Sequence, residues 1–300
     1  MKSSVPTGSV AHWVEACRPR TLPAAIAPVL VASALAGHDG KFEPTAAGLC
    51  LSFALLIQIG TNLANDYFDF KKGADTAERV GPRRAVAAGL IAPEVMRQAM
   101  AGVFVAAFVV GLGLLPFGGW PLLIIGLASI FCGVIYTGGP YPLAYHGWGD
   151  VFVFGFFGLV AVGATYFVQT GQITSQTWWL GALIGALSTN ILVVNNYRDI
   201  ETDRKANKRT LAVRFGPGFA EWQFLLSHLT GVVAVTVLWR EGLWGTMAWG
   251  IISLVALVEG GRQYLALKQS SDAPTLIRLL GRTGRHVAIM AVLVAVALVT

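Results

Sequence analysis

Charge is what this 300-residue chain has little of: Asp, Glu, Lys and Arg make up 13% of it, against roughly 25% in an ordinary soluble domain. That scarcity, beside 55% hydrophobic residues, excludes a water-soluble enzyme of the usual kind. Cysteine is scarce too. Cys17, Cys50 and Cys132 are widely spaced and odd in number, so neither a disulfide framework nor a Cys/His zinc site is expected. The first twenty residues hold no long apolar run and no small-residue cleavage pattern, which speaks against a removable secretory leader.

What the chain does have is apolar length. A hydrocarbon core about 30 Å thick asks for about 17–25 apolar residues per helix. Nine runs approach that: 21–36, 46–64, 95–115, 121–136, 151–168, 178–194, 222–239, 244–258 and 286–300. The expected fold is all-α, a polytopic membrane helix bundle of about nine transmembrane helices forming one membrane-embedded domain over 1–300. The count drops to eight if the short first or last run lies in the interface. Twenty of the 22 Lys and Arg fall on one side of this topology, leaving Lys41 and Arg240 on the other. The positive-inside rule then puts the N-terminus and three long loops, 65–94, 195–218 and 259–285, in the cytoplasm of a cell (inner or plasma) membrane. The net charge of +6 needs no nucleic acid, since topology and anionic headgroups account for it.

Seven of the 16 acidic residues gather at the cytoplasmic ends of the second and sixth runs: Asp66, Asp69, Asp75, Glu78, Asp199, Glu201 and Asp203. Helical spacing puts Asn62 with Asp66, Asn65 with Asp69, and Asn195 with Asp199 and Asp203 on shared faces. The recurrence four runs apart points to a repeated four-helix unit. Clustered carboxylates need something positive among them. An all-oxygen set without Cys or His suits Mg²⁺, which commonly binds through a few carboxylates plus substrate phosphates; the expected ligand is therefore phosphorylated. Lys71, Lys72, Arg79, Arg83 and Arg84 follow the first cluster, and Arg198, Arg204, Lys205, Lys208 and Arg209 surround the second. Of these charges, Glu78, Glu201, Arg84 and Arg204 are expected to serve in ordinary solvated pairs.

A third element is aromatic. Between the fourth and fifth runs the chain reads Tyr136-Thr-Gly-Gly-Pro-Tyr141-Pro-Leu-Ala-Tyr145, on the same side as the acids. Its glycines and prolines break the helix, so the three tyrosines can project into a cavity from irregular backbone. None of the five histidines lies in the acid clusters, and His228, inside the seventh run, is read as a packing residue.

Taken together, Arg18-Pro-Arg20-Thr-Leu-Pro23, Asn62-Leu-Ala-Asn65-Asp66-Tyr-Phe-Asp69 continuing to Lys72-Gly-Ala-Asp75, the Tyr136 to Tyr145 stretch, and Asn195-Asn-Tyr-Arg-Asp199-Ile-Glu-Thr-Asp203 leading into Lys208-Arg-Thr-Leu-Ala-Val-Arg214 resemble the UbiA superfamily of membrane prenyltransferases. Within it they are most similar to the branch acting on 1,4-dihydroxy-2-naphthoate. The superfamily pattern NDxxDxxxD has Gly73 here where its last Asp would stand, and Asp75 takes that place, as in the naphthoate branch. The superfamily YxxxK becomes Tyr141 to Tyr145, without the Lys.

The resemblance implies Mg²⁺-dependent transfer of a polyprenyl chain from its diphosphate to 1,4-dihydroxy-2-naphthoate, with loss of diphosphate and CO₂ to give demethylmenaquinone. It implies Mg²⁺ on Asn65, Asp69 and Asp75 from one cluster and Asp199 and Asp203 from the other, with Asp66 binding directly or through water. Lys72, Arg79 and Lys208 are expected on the diphosphate. Tyr136, Tyr141, Tyr145, Asn62 and Asn195 are expected in the acceptor and allyl-cation pocket, with Phe154 or Phe156 nearby. Asp69, Asp199, Asp203, Tyr136 and Tyr141 are the expected catalytic residues. Arg18 and Arg20 are candidates for the acceptor side. Another aromatic acceptor or a phytyl donor fits the same pattern. A membrane transporter or cation channel is the distant alternative, since few ionisable groups lie within the apolar runs to line an ion path.

Overall fold

Prolines open most of the long helices, at the position where a missing N–H costs nothing. In the computed structural model, which describes residues 6–75, 81, 83–270 and 272–300, these helices are α1 (Val10–Cys17), α2 (Pro23–His38), α3 (Pro44–Lys71), α4 (Pro93–Leu112), α5 (Trp120–Ile135), α6 (Gly149–Thr170), α7 (Ser175–Arg198), α8 (Ile200–Lys205), α9 (Pro217–Arg240), α10 (Thr246–Gln269) and α11 (Ala273–Val299). No β-strand forms among the described residues; an isolated bridge joins Thr7 to Ile91. Side chains cap several starts: Ser9 for α1, Thr174 for α7 and Asp272 for α11, each satisfying amide donors that the first turn leaves open.

The all-α membrane bundle is as expected, and each of the nine apolar runs lies in or almost wholly in a helix. The span count is lower on length and composition alone. Six helices, α3, α4, α6, α7, α9 and α11, are long and apolar enough to cross a bilayer, and the pair formed by Val10–Thr21 and α2, bent by 52°, makes a seventh. Two of the nine fall short for separate reasons. α5 has only 16 residues, and α10 carries Glu259, Arg262 and Lys268 in its second half.

The third cap, 259–285, is helical rather than separate from the spans. α10 and α11 run through it, leaving a short link around Ser270, and Arg282 on α11 pairs with Glu259 on α10 at 3.0 Å. The charges there lower hydropathy without interrupting the helix, which is why the apolar run reveals only half of α11.

α7 is the central post. Its apolar window is 78% buried, against 22% for α4, and it packs on α6, α9 and α11 while α2 packs on α6 and α11. The approach of α6 to α7 depends on glycine. A Cβ on Gly158 would lie 2.3 Å from the Gly181 carbonyl oxygen and 2.7 Å from Gly185 Cα, so only hydrogen fits there. Around this contact α6 widens into a π-helical turn at Phe154–Val160, a distortion frequent at functional sites. Asn65 and Asp69 on α3 and Asn195 on α7 thereby reach the same end of the bundle, at the mouth of the cavity described next.

Candidate active site

Two cavities meet at that end. One, of about 260 Å³, is lined mainly by apolar side chains of α2, α3, α5 and α6, such as Val29, Phe53, Leu122 and Phe156. The other, of about 350 Å³, is polar and bounded by Arg18, Arg20, Asp69, Arg84, Asp199 and Lys208 among others. Thr21, Asn65, Tyr136, Leu192 and Asn195 line both, so the two adjoin along a shared wall, an apolar space beside a polar one, with Tyr136 at the junction.

α3 continues past its apolar stretch and carries the first acid motif to these cavities on rigid helix. Asp69 is buried; one carboxylate oxygen accepts from the Tyr145 hydroxyl at 2.9 Å and the other faces Arg84 at 3.3 Å. Arg84 also reaches Asp75 at 3.6 Å. Asn65 accepts from the Thr137 hydroxyl at 2.9 Å. From the second motif, Asp199 is gripped by Arg198 at 2.7 and 2.6 Å, and Asp203 pairs with Lys208 at 3.3 Å.

Electrostatics tie the motifs together. Burial lowers the Lys208 pKa, but Asp203, Asp69 and Asp199 outweigh it and raise the ammonium above its ordinary value. Carboxylates from both motifs thus act on one ammonium. Burial pushes the Asp203 carboxyl up to about 6, with Lys208 pulling it down and Asp199 and Asp69 pushing it up.

The structure moves several expected residues. Asp66 is not turned to an open ligand position: its two carboxylate oxygens accept from the backbone N–H groups of Ala85 (3.0 Å) and Val86 (3.1 Å). It anchors the returning segment to α3. Tyr141 is not in the pocket. It is 55% exposed and stacks on His146 with ring centroids 3.7 Å apart, because the turn through Gly138 and Gly139 carries it outward. Tyr145 bonds Asp69 and receives the Lys72 ammonium 4.7 Å from its ring centre.

Lys72 in turn donates to the Thr137 carbonyl at 2.6 Å, so at that level Asp69 and Arg84, not Lys72, form the cavity wall. Arg84, expected in a solvated pair, is a largely buried cavity residue instead, whereas Arg204 and Glu201 do form an exposed pair at 2.7 Å. Asn62 lines the apolar cavity and donates to the Cys17 carbonyl and the Thr21 hydroxyl, fixing the turn that bears Arg18 and Arg20. Phe156 lines the apolar cavity, while Phe154 packs on Gly185. Arg79 and Glu78 lie outside the described residues.

Two acids outside the sequence motifs also line the polar cavity, Glu15 and Asp150; Asp150, buried at the start of α6, accepts from Gln223 Nε2 at 2.9 Å. Its sequence signal was a lone charge at the edge of an apolar run.

Among the described residues no three His, Cys, Asp or Glu side chains converge closely enough to hold a metal alone. The donor chemistry still fits a hard divalent cation shared with a phosphorylated ligand. The acids are all oxygen donors from two motifs around one cavity, and Asp203 keeps a buried carboxylate oxygen with no hydrogen-bond partner.

Comparison with known proteins agrees with this geometry. The UbiA prenyltransferase family model matches residues 25–281. The 1,4-dihydroxy-2-naphthoate octaprenyltransferase of Mycobacterium leprae (strain TN) is 37% identical over 297 residues, 97% of each chain. The enzyme of the same name from Haemophilus influenzae is 37% identical over 251 residues, 77% of this chain and 80% of its own. The fold matches the solved structure of a UbiA homologue from Archaeoglobus fulgidus bound to GPP and Mg²⁺, with a TM-score of 0.68 at 13% identity, over 96% of this chain and all of that one. On its sequence, its multi-pass helical fold and its paired acid motifs, the chain belongs to the UbiA prenyltransferase family.

Proposed function

We propose that this protein transfers a polyprenyl group from its diphosphate to 1,4-dihydroxy-2-naphthoate, releasing diphosphate and CO₂ and forming demethylmenaquinone for menaquinone synthesis. The observation that carries this reading is the pair of adjoining cavities: a charged one lined by Asp69 and Asp199, one from each acid motif, shares a wall with an apolar one. A prenyl diphosphate has the same two-part character. The names of the Mycobacterium leprae and Haemophilus influenzae relatives support the naphthoate as acceptor.

Asn65, Asp69 and Asp75 on one side and Asp199 and Asp203 on the other would hold Mg²⁺, which when bound supplies the charge neutralisation that lets diphosphate depart. Lys208, Arg84 and Arg198 add fixed positive charge directed at the leaving oxygens. Tyr136, at the junction of the cavities, offers its ring face to the allylic carbon as positive charge develops there, a contact worth about 0.5–2 kcal/mol. Phe156 and the apolar lining keep water from that carbon. Arg18 and Arg20, on the turn between α1 and α2, face the acceptor carboxylate. Loss of that carboxylate as CO₂ removes the need for a strong base at the ring carbon.

The excess of Lys and Arg on this side supports a cytoplasmic mouth in the cell membrane, with the N-terminus cytoplasmic. Membranes containing the protein, incubated with 1,4-dihydroxy-2-naphthoate, Mg²⁺ and prenyl diphosphates of graded length, should yield a lipid-soluble prenylated naphthoquinol. Absence of product with every donor would overturn the reading.

A further inference from the structure

Every acid bordering the polar cavity has a local partner, but one differs in kind. Glu15 faces Arg83, Asp69 faces Arg84 and Asp199 faces Arg198, while Asp66 is bonded to two backbone amides. Asp150, only 5% exposed, pairs with no Lys or Arg among the described residues; its side-chain partner is the neutral amide of Gln223, at 2.9 Å. A buried carboxylate without a cation is costly. A hydrogen-bond donor on a ligand in the cavity would complete it.

Its position is specific. Asp150 lines the polar cavity, and it follows Gly149, where a Cβ would come within 2.9 Å of the Tyr136 hydroxyl, so this start of α6 lies beside the junction of the two cavities. The first turn of α6 favours negative charge there. Gln223, on α9, holds one carboxylate oxygen and fixes the direction of the other. Arg18 and Arg20 border the same cavity, so a ligand carrying both a carboxylate and a hydroxyl finds complementary groups within it.

We propose that Asp150, oriented by Gln223, accepts the proton of a ring hydroxyl on the aromatic acceptor as the new carbon–carbon bond forms. This rests on the prenyl-transfer reading above. The hydroxyl O–H bond breaks, its proton passes to an Asp150 oxygen, and the electron pair left on oxygen becomes the second bond of a ring carbonyl. A ring π pair forms the bond to the prenyl carbon, whose bond to diphosphate breaks with both electrons leaving on the diphosphate. When the carboxylate departs as CO₂, the pair from its C–C bond restores the ring and the proton returns from Asp150 to the oxygen. Asp150 is thus catalytic, while Gln223 is a positioning residue.

The test uses the full-length protein in membranes, with Asp150→Asn and Gln223→Met. Asp150→Asn should lower kcat/KM for 1,4-dihydroxy-2-naphthoate by about 100-fold or more, the scale of a lost acid–base group, while the KM for prenyl diphosphate changes less than about 3-fold. The two monomethyl ethers of the acceptor give a readout that packing alone would not move. Wild type should discriminate against one of them by about tenfold or more, as a site built around a hydroxyl does, and Asp150→Asn should abolish that discrimination. Gln223→Met should shift acceptor KM and ether discrimination in the same direction, more weakly, and serves on its own if Asp150→Asn does not accumulate. Unchanged acceptor kinetics, parallel loss for both substrates, or discrimination intact in the variants would overturn the proposal. A wild type that makes no product with any donor would instead overturn the reaction itself.

Discussion

Asp203 carries a cost of assembling the site, because it is buried, faces two other acids and, among the described residues, has Lys208 as its cationic partner. Its folded carboxyl, at about 6, lies above the ordinary value of 3.8, so the native state holds this proton more tightly than the unfolded chain. That contribution to stability is complete below pH 4 or so and is lost as pH rises through about 6. In chelator-treated protein, the melting temperature of Asp203→Asn relative to wild type should therefore rise by a few degrees between pH 5 and pH 7. A constant difference would show that Asp203 ionises without cost. Asp69→Ala and Asp199→Ala should each abolish turnover while membrane insertion is retained; near-normal rates from either would refute the two-motif site. At this scale the sequence was most legible where spacing along one helix decides the outcome, as for Asn65 with Asp69. It was least legible where a partner arrives from far away. Gln223 stands 73 residues from Asp150, and the direction of Tyr141 depends on a turn whose backbone passes through positive φ at Gly139.

Helices and their connections carry the next set of consequences. The contact of α6 with α7 leaves no room for a methyl group at Gly158, so Gly158→Ala should cost about 1–3 kcal/mol and lower the melting temperature in detergent. The same strain displaces the π-helical turn beside the apolar cavity, so donor KM should rise more than acceptor KM. Asp66→Ala removes the acceptor for the amides of Ala85 and Val86, both attached to buried residues, at about 2–5 kcal/mol in all. Limited proteolysis near residues 83–91 should then accelerate well before the bundle unfolds; equal rates in variant and wild type would show that the anchor is dispensable. The apolar runs announced α3 and α7 because hydropathy and helix length agree there. They concealed half of α11, since Arg278, Arg282 and Arg285 depress hydropathy while the Glu259 pair lets the helix continue.

For the molecule as a whole, orientation follows from where positive charge sits, and it can be checked in a cysteine-free background. Arg240→Cys should react with a membrane-impermeant maleimide in intact cells, and Ala88→Cys only after permeabilisation; both positions are exposed. The opposite pattern would invert the topology. The adjoining cavities have a further consequence for the traffic of matter. In the proposed reaction the naphthoate arrives as a water-borne anion, to be held by charges that the polar cavity supplies. The product has shed both its carboxylate and the diphosphate, so nothing on it answers to Arg18, Arg84 or Lys208, and its remaining bulk belongs to the apolar side. On that reading the adjoining cavities would work as a one-way door between phases, admitting an aqueous compound on one side and surrendering it to the lipid on the other.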